Sequence, residues 1–306
     1  MTAADPERAF DDTGGALDTI SAPPSPEQVS GKFVQAGGVR IHYGEAGEGP
    51  PLICLHGTGP GASGWSNFSR NVDALSRRHR TILVDLPRFG RSDKVAIEGP
   101  RLTYLSGVIR AFMDALGIDR ASLIGSSMGG QVALKLAIDS PERVDRLVVV
   151  GPAVMDHSVF TPMPTECLRL IAGYYKDGGP TLDKMRRLLH TLVYDPASVP
   201  EEVVQERYRA SVEPEVLAAN RGPRWARQPI DRELDRVLAP TLIVWGQDDR
   251  ASALDHGLLM LKKLPDARLH VFARCGHQAQ SEHAEEFNRL VLHFLAGGQA
   301  DAPART

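Results

Sequence analysis

Apolar residues along this chain follow two rhythms. Short, largely apolar runs, bounded by glycine, aspartate or proline, recur at residues 51–55, 81–84, 121–124, 146–150, 241–245 and 268–272. Runs of that length with little polar alternation predict strands buried on both faces, as in a parallel sheet. Between them, apolar residues fall at helical spacing over residues 65–75, 105–116, 131–137 and about 284–295. Ahead of them, residues 32–35 and 39–43 flank Gly37-Gly38 and read as a hairpin. Strands that alternate with helices call for right-handed crossovers, so the expectation is a mostly parallel eight-stranded sheet with helices on both faces.

The alternation stops between Gly151 and Ala239. No buried strand is expected there. Helical stretches are, at 166–174, 182–193, 201–210 and near Val216, separated by Gly178-Gly179-Pro180, Pro196 and Pro200. The predicted organisation is a core of residues 31–151 and 239–298 with a helical lid, residues 152–238, inserted into it. Residues 1–30, rich in Ala, Asp, Gly, Pro and Ser, and residues 299–306 read as disordered tails.

One turn carries chemistry. Gly125, Ser127 and Gly129 form Gly-x-Ser-x-Gly directly after the run 121–124 and directly before the helix 131–137. Strand, sharp turn, helix is the setting of a nucleophile elbow. The glycines two before and two after the serine remove side chains that would collide with neighbouring backbone. Without that setting the motif would be a plain Gly/Ser turn. A serine nucleophile needs a base, and the base needs an orienting acid. Asp248 and Asp249 follow the run 241–245, and His277 follows the run 268–272. Acid and histidine thus come after the serine in the chain order of α/β-hydrolases. Only one of the adjacent aspartates can face the histidine. The oxyanion hole needs two backbone N–H groups: Met128 after the nucleophile, and one from the loop after residues 51–55, with Thr58 first and Gly57 or Gly59 as alternatives.

Composition narrows the picture further. The 306 residues are 42% hydrophobic and carry a net charge of −3 with acids and bases intermixed, which gives no footprint for nucleic acid or an anionic membrane. The three cysteines are widely spaced and fit neither a disulfide framework nor structural zinc. His270, His277 and His283 match no zinc spacing, so no metal and no cofactor is expected. No apolar run approaches the ~20 residues of a membrane span, and the amino terminus has no signal-peptide pattern, so the expected location is the cytoplasm. A homo-oligomer is left open.

Several stretches taken together resemble the meta-cleavage-product hydrolases of the α/β-hydrolase superfamily. They are His56-Gly57 with Gly59-Pro60-Gly61-Ala62 and Gly64-Trp65-Ser66-Asn67; Ser127-Met128-Gly129-Gly130; Phe160 with Pro162-Met163-Pro164; Leu254-Asp255-His256-Gly257; and Cys275-Gly276-His277. The resemblance spans residues 32–296, the lid included. It implies C–C bond hydrolysis in a 2-hydroxy-6-oxo-hexa-2,4-dienoate, the ring-fission product of an aromatic compound. It also implies Ser127, Asp249 and His277 as the triad, with Asn67 helping to hold the dienoate and Arg207 binding the substrate carboxylate. Three positions depart from the family pattern: Ser126 where asparagine is usual, Gln278 where tryptophan is usual, and Ala251 where an aromatic residue is common. With Gly57 and Gly59 they are expected to line the substrate pocket. The alternative reaction on the same triad is ester or thioester hydrolysis, and a small-molecule receptor is the alternative outside catalysis.

Overall fold

The eight expected strands all form, and they make one sheet. They are β1 (Lys32–Ala36), β2 (Val39–Ala46), β3 (Pro51–Leu55), β4 (Arg80–Val84), β5 (Ala121–Ser126), β6 (Val144–Val150), β7 (Thr241–Gly246) and β8 (Ala267–Phe272). Their order across the sheet is β1-β2-β4-β3-β5-β6-β7-β8. The strand β2 runs antiparallel to β1 and β4, and every other neighbouring pair is parallel. The computed structural model describes residue 29 and residues 31–97, 99–221 and 228–297; apart from Val29, the two expected tails lie outside the described residues.

Helices pack on both faces. They are α1 (Gly64–Phe68), α2 (Val72–Ser76), α3 (Arg101–Ala115), α4 (Met128–Asp139), α5 (Glu166–Gly173), α6 (Leu182–Leu192), α7 (Glu201–Ser211), α8 (Pro214–Ala219), α9 (Asp255–Lys263), α10 (Ala279–Glu282) and α11 (Ala284–Leu295). Successive strand residues point to opposite faces, so a strand covered on both sides must be apolar throughout. Leu52, Cys54, Ile124, Val148 and Val244 pack with Phe68, Leu75, Phe287 and Val291 of α1, α2 and α11. Ile53, Leu55, Leu123, Val149 and Trp245 pack with Ile109, Phe112, Val132 and Met260 of α3, α4 and α9. Each fully buried aliphatic side chain contributes up to about 1.5–3 kcal/mol. No helix among the described residues is long and apolar enough to cross a membrane.

The structure departs from the periodicity at two helices. The stretch 65–75, expected as one helix, is broken at Ser69–Asn71 into α1 and α2. Asn71 is buried, and its amide donates to Gln280 O and Asn288 Oδ1, both at 2.8 Å. That tertiary demand interrupts the helix. The helix α9 was not expected. Its Leu258 and Leu261 are exposed, which blurs the apolar stripe, yet β7 and β8 are parallel neighbours and need a crossover between them.

Helices α5 to α8 lie between β6 and β7 and have a small core of their own, built from Cys167, Tyr174, Met185, Leu188, Leu192 and Val204. Thr165 and Thr181 cap α5 and α6 by accepting from Leu168 N and Lys184 N. After α8 the chain returns to the sheet: Ile230, Leu234 and Val237 pack into the main core, and Ile230 N–H donates to Val154 O. The carboxyl ends of β3, β5, β6, β7 and β8 share one edge of the sheet, where ligands bind in folds of this kind.

Candidate active site

Ser127 stands between β5 and α4 with φ 52° and ψ −115°, a left-handed backbone that costs a non-glycine residue about 1–3 kcal/mol. The surrounding structure over-determines it. Ser127 N–H donates to Val150 O at 2.7 Å. A side chain at Gly129 would run into Leu55 O, and one at Gly125 would stand 2.5 Å from Gly130 Cα. The strand–helix crossing is thus tight enough to admit glycine alone at both places. The hydroxyl sits at the amino terminus of α4, where unpaired N–H groups favour negative charge.

Asp249 and His277 extend from the ends of β7 and β8 and meet. His277 Nδ1 donates to Asp249 Oδ2 at 2.7 Å, with the two side chains 7% and 2% exposed. The other oxygen of Asp249 accepts from Ala251 N (2.7 Å) and Ser252 N (2.9 Å), which fixes the carboxylate. Asp248 is exposed, and its backbone N–H is bonded to Cys275 O. The geometry therefore separates the two aspartates that adjacency alone could not. Burial disfavours the charged imidazole, but the Asp249 carboxylate outweighs it by charge and by hydrogen bond, so His277 titrates above the ordinary imidazole value. Gly151, at φ 56° past the end of β6, leaves room for the pair: a Cβ there would lie 3.0 Å from His277 Cε1 and 3.2 Å from Asp249 Oδ2.

Ser127 and His277 open into one cavity of about 290 Å³. Gly57, Thr58, Gly59, Asn67, Ser126, Met128, Arg207, Ala251 and Gln278 line it as well. All the residues singled out from the sequence are thus brought to one place, except Asp249, which stands behind His277. The loop after β3 has a built frame. His56 Nε2 accepts from Leu86 N at 3.0 Å, and its Nδ1 donates to Gly57 O at 2.8 Å. Gly57 N–H donates to Asn67 Oδ1 at 3.1 Å. Asn67 thereby braces the loop, and Gly57 has spent its donor. Thr58 N–H bonds to no other described residue, and Met128 is the first residue of α4, so its N–H has no acceptor within the helix.

Arg207 comes from α7 and reaches across to this loop. It is 6% exposed, and its Nε and Nη2 donate to Pro60 O at 3.1 and 2.9 Å. Gly59 makes the approach feasible, since a Cβ there would lie 3.0 Å from Arg207 Nη2. Burial pulls the guanidinium down to about 10, with the hydroxyls of Tyr174 and Tyr175 acting the other way, so it remains cationic at neutral pH. No carboxylate among the described residues pairs with it.

Several cavity residues have no site role in the sequence reading, Gln131, Arg101 and Cys167 among them. Gln131 is four residues after Ser127, a helical spacing that puts both on one face and was available as a signal. Arg101, at the start of α3, carries no such signal. Cys167 also lines the cavity, but burial pushes its thiol up to about 12, so it is a protonated wall and no nucleophile. A larger cavity of about 580 Å³ lies beyond Thr58, Gly59 and Ala62, and neither Ser127 nor His277 borders it.

Comparison with known proteins assigns the chain to a family. A family model described as the alpha/beta hydrolase fold matches residues 50–284. The 2-hydroxy-6-oxononadienedioate/2-hydroxy-6-oxononatrienedioate hydrolase of Paraburkholderia phymatum is 43% identical over 281 residues, 88% of this chain and 96% of that protein. The 2-hydroxy-6-oxo-6-phenylhexa-2,4-dienoate hydrolase of Burkholderia cepacia is 41% identical over 287 residues, 89% of this chain and 98% of that one. The solved meta-cleavage product hydrolase of Pseudomonas fluorescens matches with a TM-score of 0.79 at 33% identity, covering 88% of this chain and 99% of that chain. The chain belongs to the α/β-hydrolase family and, within it, to the meta-cleavage-product hydrolases.

Proposed function

We propose that the protein hydrolyses the C5–C6 bond of a 2-hydroxy-6-oxo-hexa-2,4-dienoate, a ring-fission product of aromatic catabolism, with Ser127 as nucleophile. The observation that carries this reading is Arg207, a buried cation with no carboxylate partner among the described residues, on the wall of the cavity shared by Ser127 and His277. A carboxylate-bearing substrate supplies the missing anion, and a guanidinium suits it in geometry.

The chemistry follows from that placement. The dienol is first protonated at C5, which turns the substrate into a ketone whose C5 can later leave as a stabilised carbanion. His277 takes the proton of Ser127 as Oγ attacks C6, and Asp249 holds the imidazole in the tautomer that leaves Nε2 free. Thr58 and Met128 N–H groups receive the oxyanion. The C5–C6 bond breaks, its electron pair delocalises toward the C2 carbonyl as a dienolate, and a proton ends on the five-carbon fragment as 2-hydroxypenta-2,4-dienoate. The remaining acyl group is an ester of Ser127. One water, deprotonated by His277, hydrolyses it to a carboxylate and restores the serine. Helices α5 to α8 act as the lid: Leu168, Ile171, Leu188 and Leu192 form the apolar roof that keeps bulk water from the acyl ester.

The direct test is turnover of a synthetic dienoate by the unmodified protein, followed by loss of dienolate absorbance and identification of both products. Its kcat/KM should exceed that for a neutral activated ester. Hydrolysis of the ester with no turnover of any dienoate would assign the same triad to an esterase.

Two further outcomes follow from the dyad. Asp249→Asn should lower kcat on the order of 10⁴-fold, because the imidazole loses its tautomer control. Asp248→Asn should stay within a few-fold of the parent; the reverse pattern would move the acid to Asp248. The acid limb of kcat/KM against pH should have its midpoint above about 6.5, since His277 must be neutral to act as base and its proton is held more tightly than usual. The sign for stability is opposite. The His277 contribution to folding is fully present below the ordinary value and is lost as pH rises through the raised one.

A further inference from the structure

His277 sits in an irregular stretch between β8 and α10, where no sheet ladder takes up the backbone N–H groups. Gly276 and His277 are buried, so their donors need partners from elsewhere. The Glu282 carboxylate, at the end of α10, supplies most of them. Its Oε1 accepts from Gly276 N at 3.0 Å and from Gln278 N at 3.1 Å, the two residues flanking the base. Its Oε2 accepts from Gly276 N at 3.0 Å and from Tyr194 N at 2.7 Å. Tyr194 belongs to the helical insertion, just past the end of α6. The N–H of His277 itself donates to Leu192 O, on the last residue of α6, at 2.7 Å. The contact is backbone against backbone: a Cβ at Gly276 would lie 2.7 Å from Leu192 O and 2.7 Å from Val193 C. Leu188 and Leu192 of the same helix line the catalytic cavity.

We infer that Glu282 is the positioning residue of the catalytic base: one carboxylate ties both N–H groups flanking His277 to the segment that roofs the cavity, and so sets where the imidazole stands relative to Ser127. Asp249 holds the ring at Nδ1, but a ring held at one atom still follows its backbone. Glu282 fixes that backbone. A carboxylate suits the task because each backbone group it meets is an N–H, and an ionised carboxylate accepts at every lone pair. A carboxamide in its place would turn an NH2 toward Gly276 N–H and toward either Gln278 or Tyr194 N–H. On the side of α6 only backbone groups take part, so side chains there can vary without loosening the joint. Burial works against the imidazolium, and the two carboxylates that act on it, Asp249 and Glu282, both favour it. The inference rests on His277 as the base, the reading proposed above, and holds for dienoate and ester alike.

The test compares the unmodified protein with Glu282→Gln and Glu282→Asp, on a dienoate and on an activated ester. Glu282→Gln keeps the length and loses the charge. Its kcat should fall about 10- to 100-fold on both substrates, the size of effect expected when a catalytic group is misplaced by about 1 Å. Dienoate affinity should stay within a few-fold, because Arg207 and the Thr58 loop are fastened elsewhere. The acid limb of kcat/KM should move to lower pH, since removing a negative charge makes the imidazole easier to deprotonate. Glu282→Asp keeps the charge but is one methylene short, so its kcat should fall while its acid limb stays near the parent's. Glu285→Gln removes an exposed carboxylate in the first turn of α11 and should change neither. Unchanged kcat in both Glu282 variants, or an acid limb that Glu282→Gln leaves in place, would overturn the inference and leave the triad intact. A fall in kcat on one substrate alone would place Glu282 in substrate recognition and overturn it as well. If Glu282→Gln does not fold, the kcat of Glu282→Asp decides. Full activity in His277→Ala would remove the base assignment and this inference together.

Discussion

Ser127→Ala lowers kcat by about 10⁶-fold and leaves dienoate affinity within a few-fold. The first half follows from the covalent step: without Oγ no acyl-enzyme forms, and loss of nucleophile or base in a serine triad has effects of that order. The second half follows from geometry. Alanine keeps the backbone, so the bond from residue 127 N–H to Val150 O and the first turn of α4 persist, and with them the Met128 N–H. Arg207 and the Thr58 loop are fastened elsewhere, through Pro60 and Asn67. The measurement is single-turnover kinetics beside equilibrium titration of the dienoate chromophore. Retention of more than about a tenth of the activity would mean that Ser127 is not the nucleophile. His277→Ala should cost about as much in kcat, because base and nucleophile act as a unit.

Arg207→Ala should lower the ratio of kcat/KM for the dienoate to that for a neutral ester by about 30-fold to several thousand-fold. Removing one partner of a desolvated charge pair costs roughly 2–5 kcal/mol, and each 1.36 kcal/mol is tenfold in rate. Taking the ratio is essential here, because Arg207 also tethers α7 to Pro60 and its loss disturbs both substrates through the roof of the cavity. The disturbance common to both cancels. A ratio that stays constant while both activities fall would make Arg207 a tether with no part in recognising the carboxylate.

The central strands β3 to β7 were legible because burial on both faces leaves a dense, short apolar run; β8, expected to be buried on both faces as well, is an edge strand and stays partly exposed, and so does β1 at the other edge. The elbow was legible for a related reason, since only glycine tolerates the approach of Gly129 to Leu55 O. What stayed hidden depends on partners distant in sequence. The break between α1 and α2 is written in Asn288 and Gln280, more than two hundred residues from Asn71. Asn67, expected to hold substrate, has its carbonyl oxygen committed to Gly57 N–H, a bond that neither residue type advertises. Arg101 reads as one more basic residue opening a helix until α4 supplies Gln131 beside it. Asp249 was preferred to Asp248 partly by family likeness, whereas the folded chain separates them by exposure.

The strands β6 and β7 are paired neighbours, Val150 opposite Val244, yet the chain leaves the sheet after one and returns before the other only after α5 to α8. Lengthening such an excursion has a small entropic cost, about 0.6 kcal/mol per doubling. The helices in it are held by a core of their own, so a substitution at Leu188 or Met185 draws on that core and leaves the residues beneath Ser127 untouched. Selection can therefore reshape the roof over the substrate while the nucleophile, base and acid stay fixed on strand ends. In this architecture the reaction and the choice of substrate are inherited as separate parcels, and descendants of one ancestral hydrolase can trade the second without renegotiating the first.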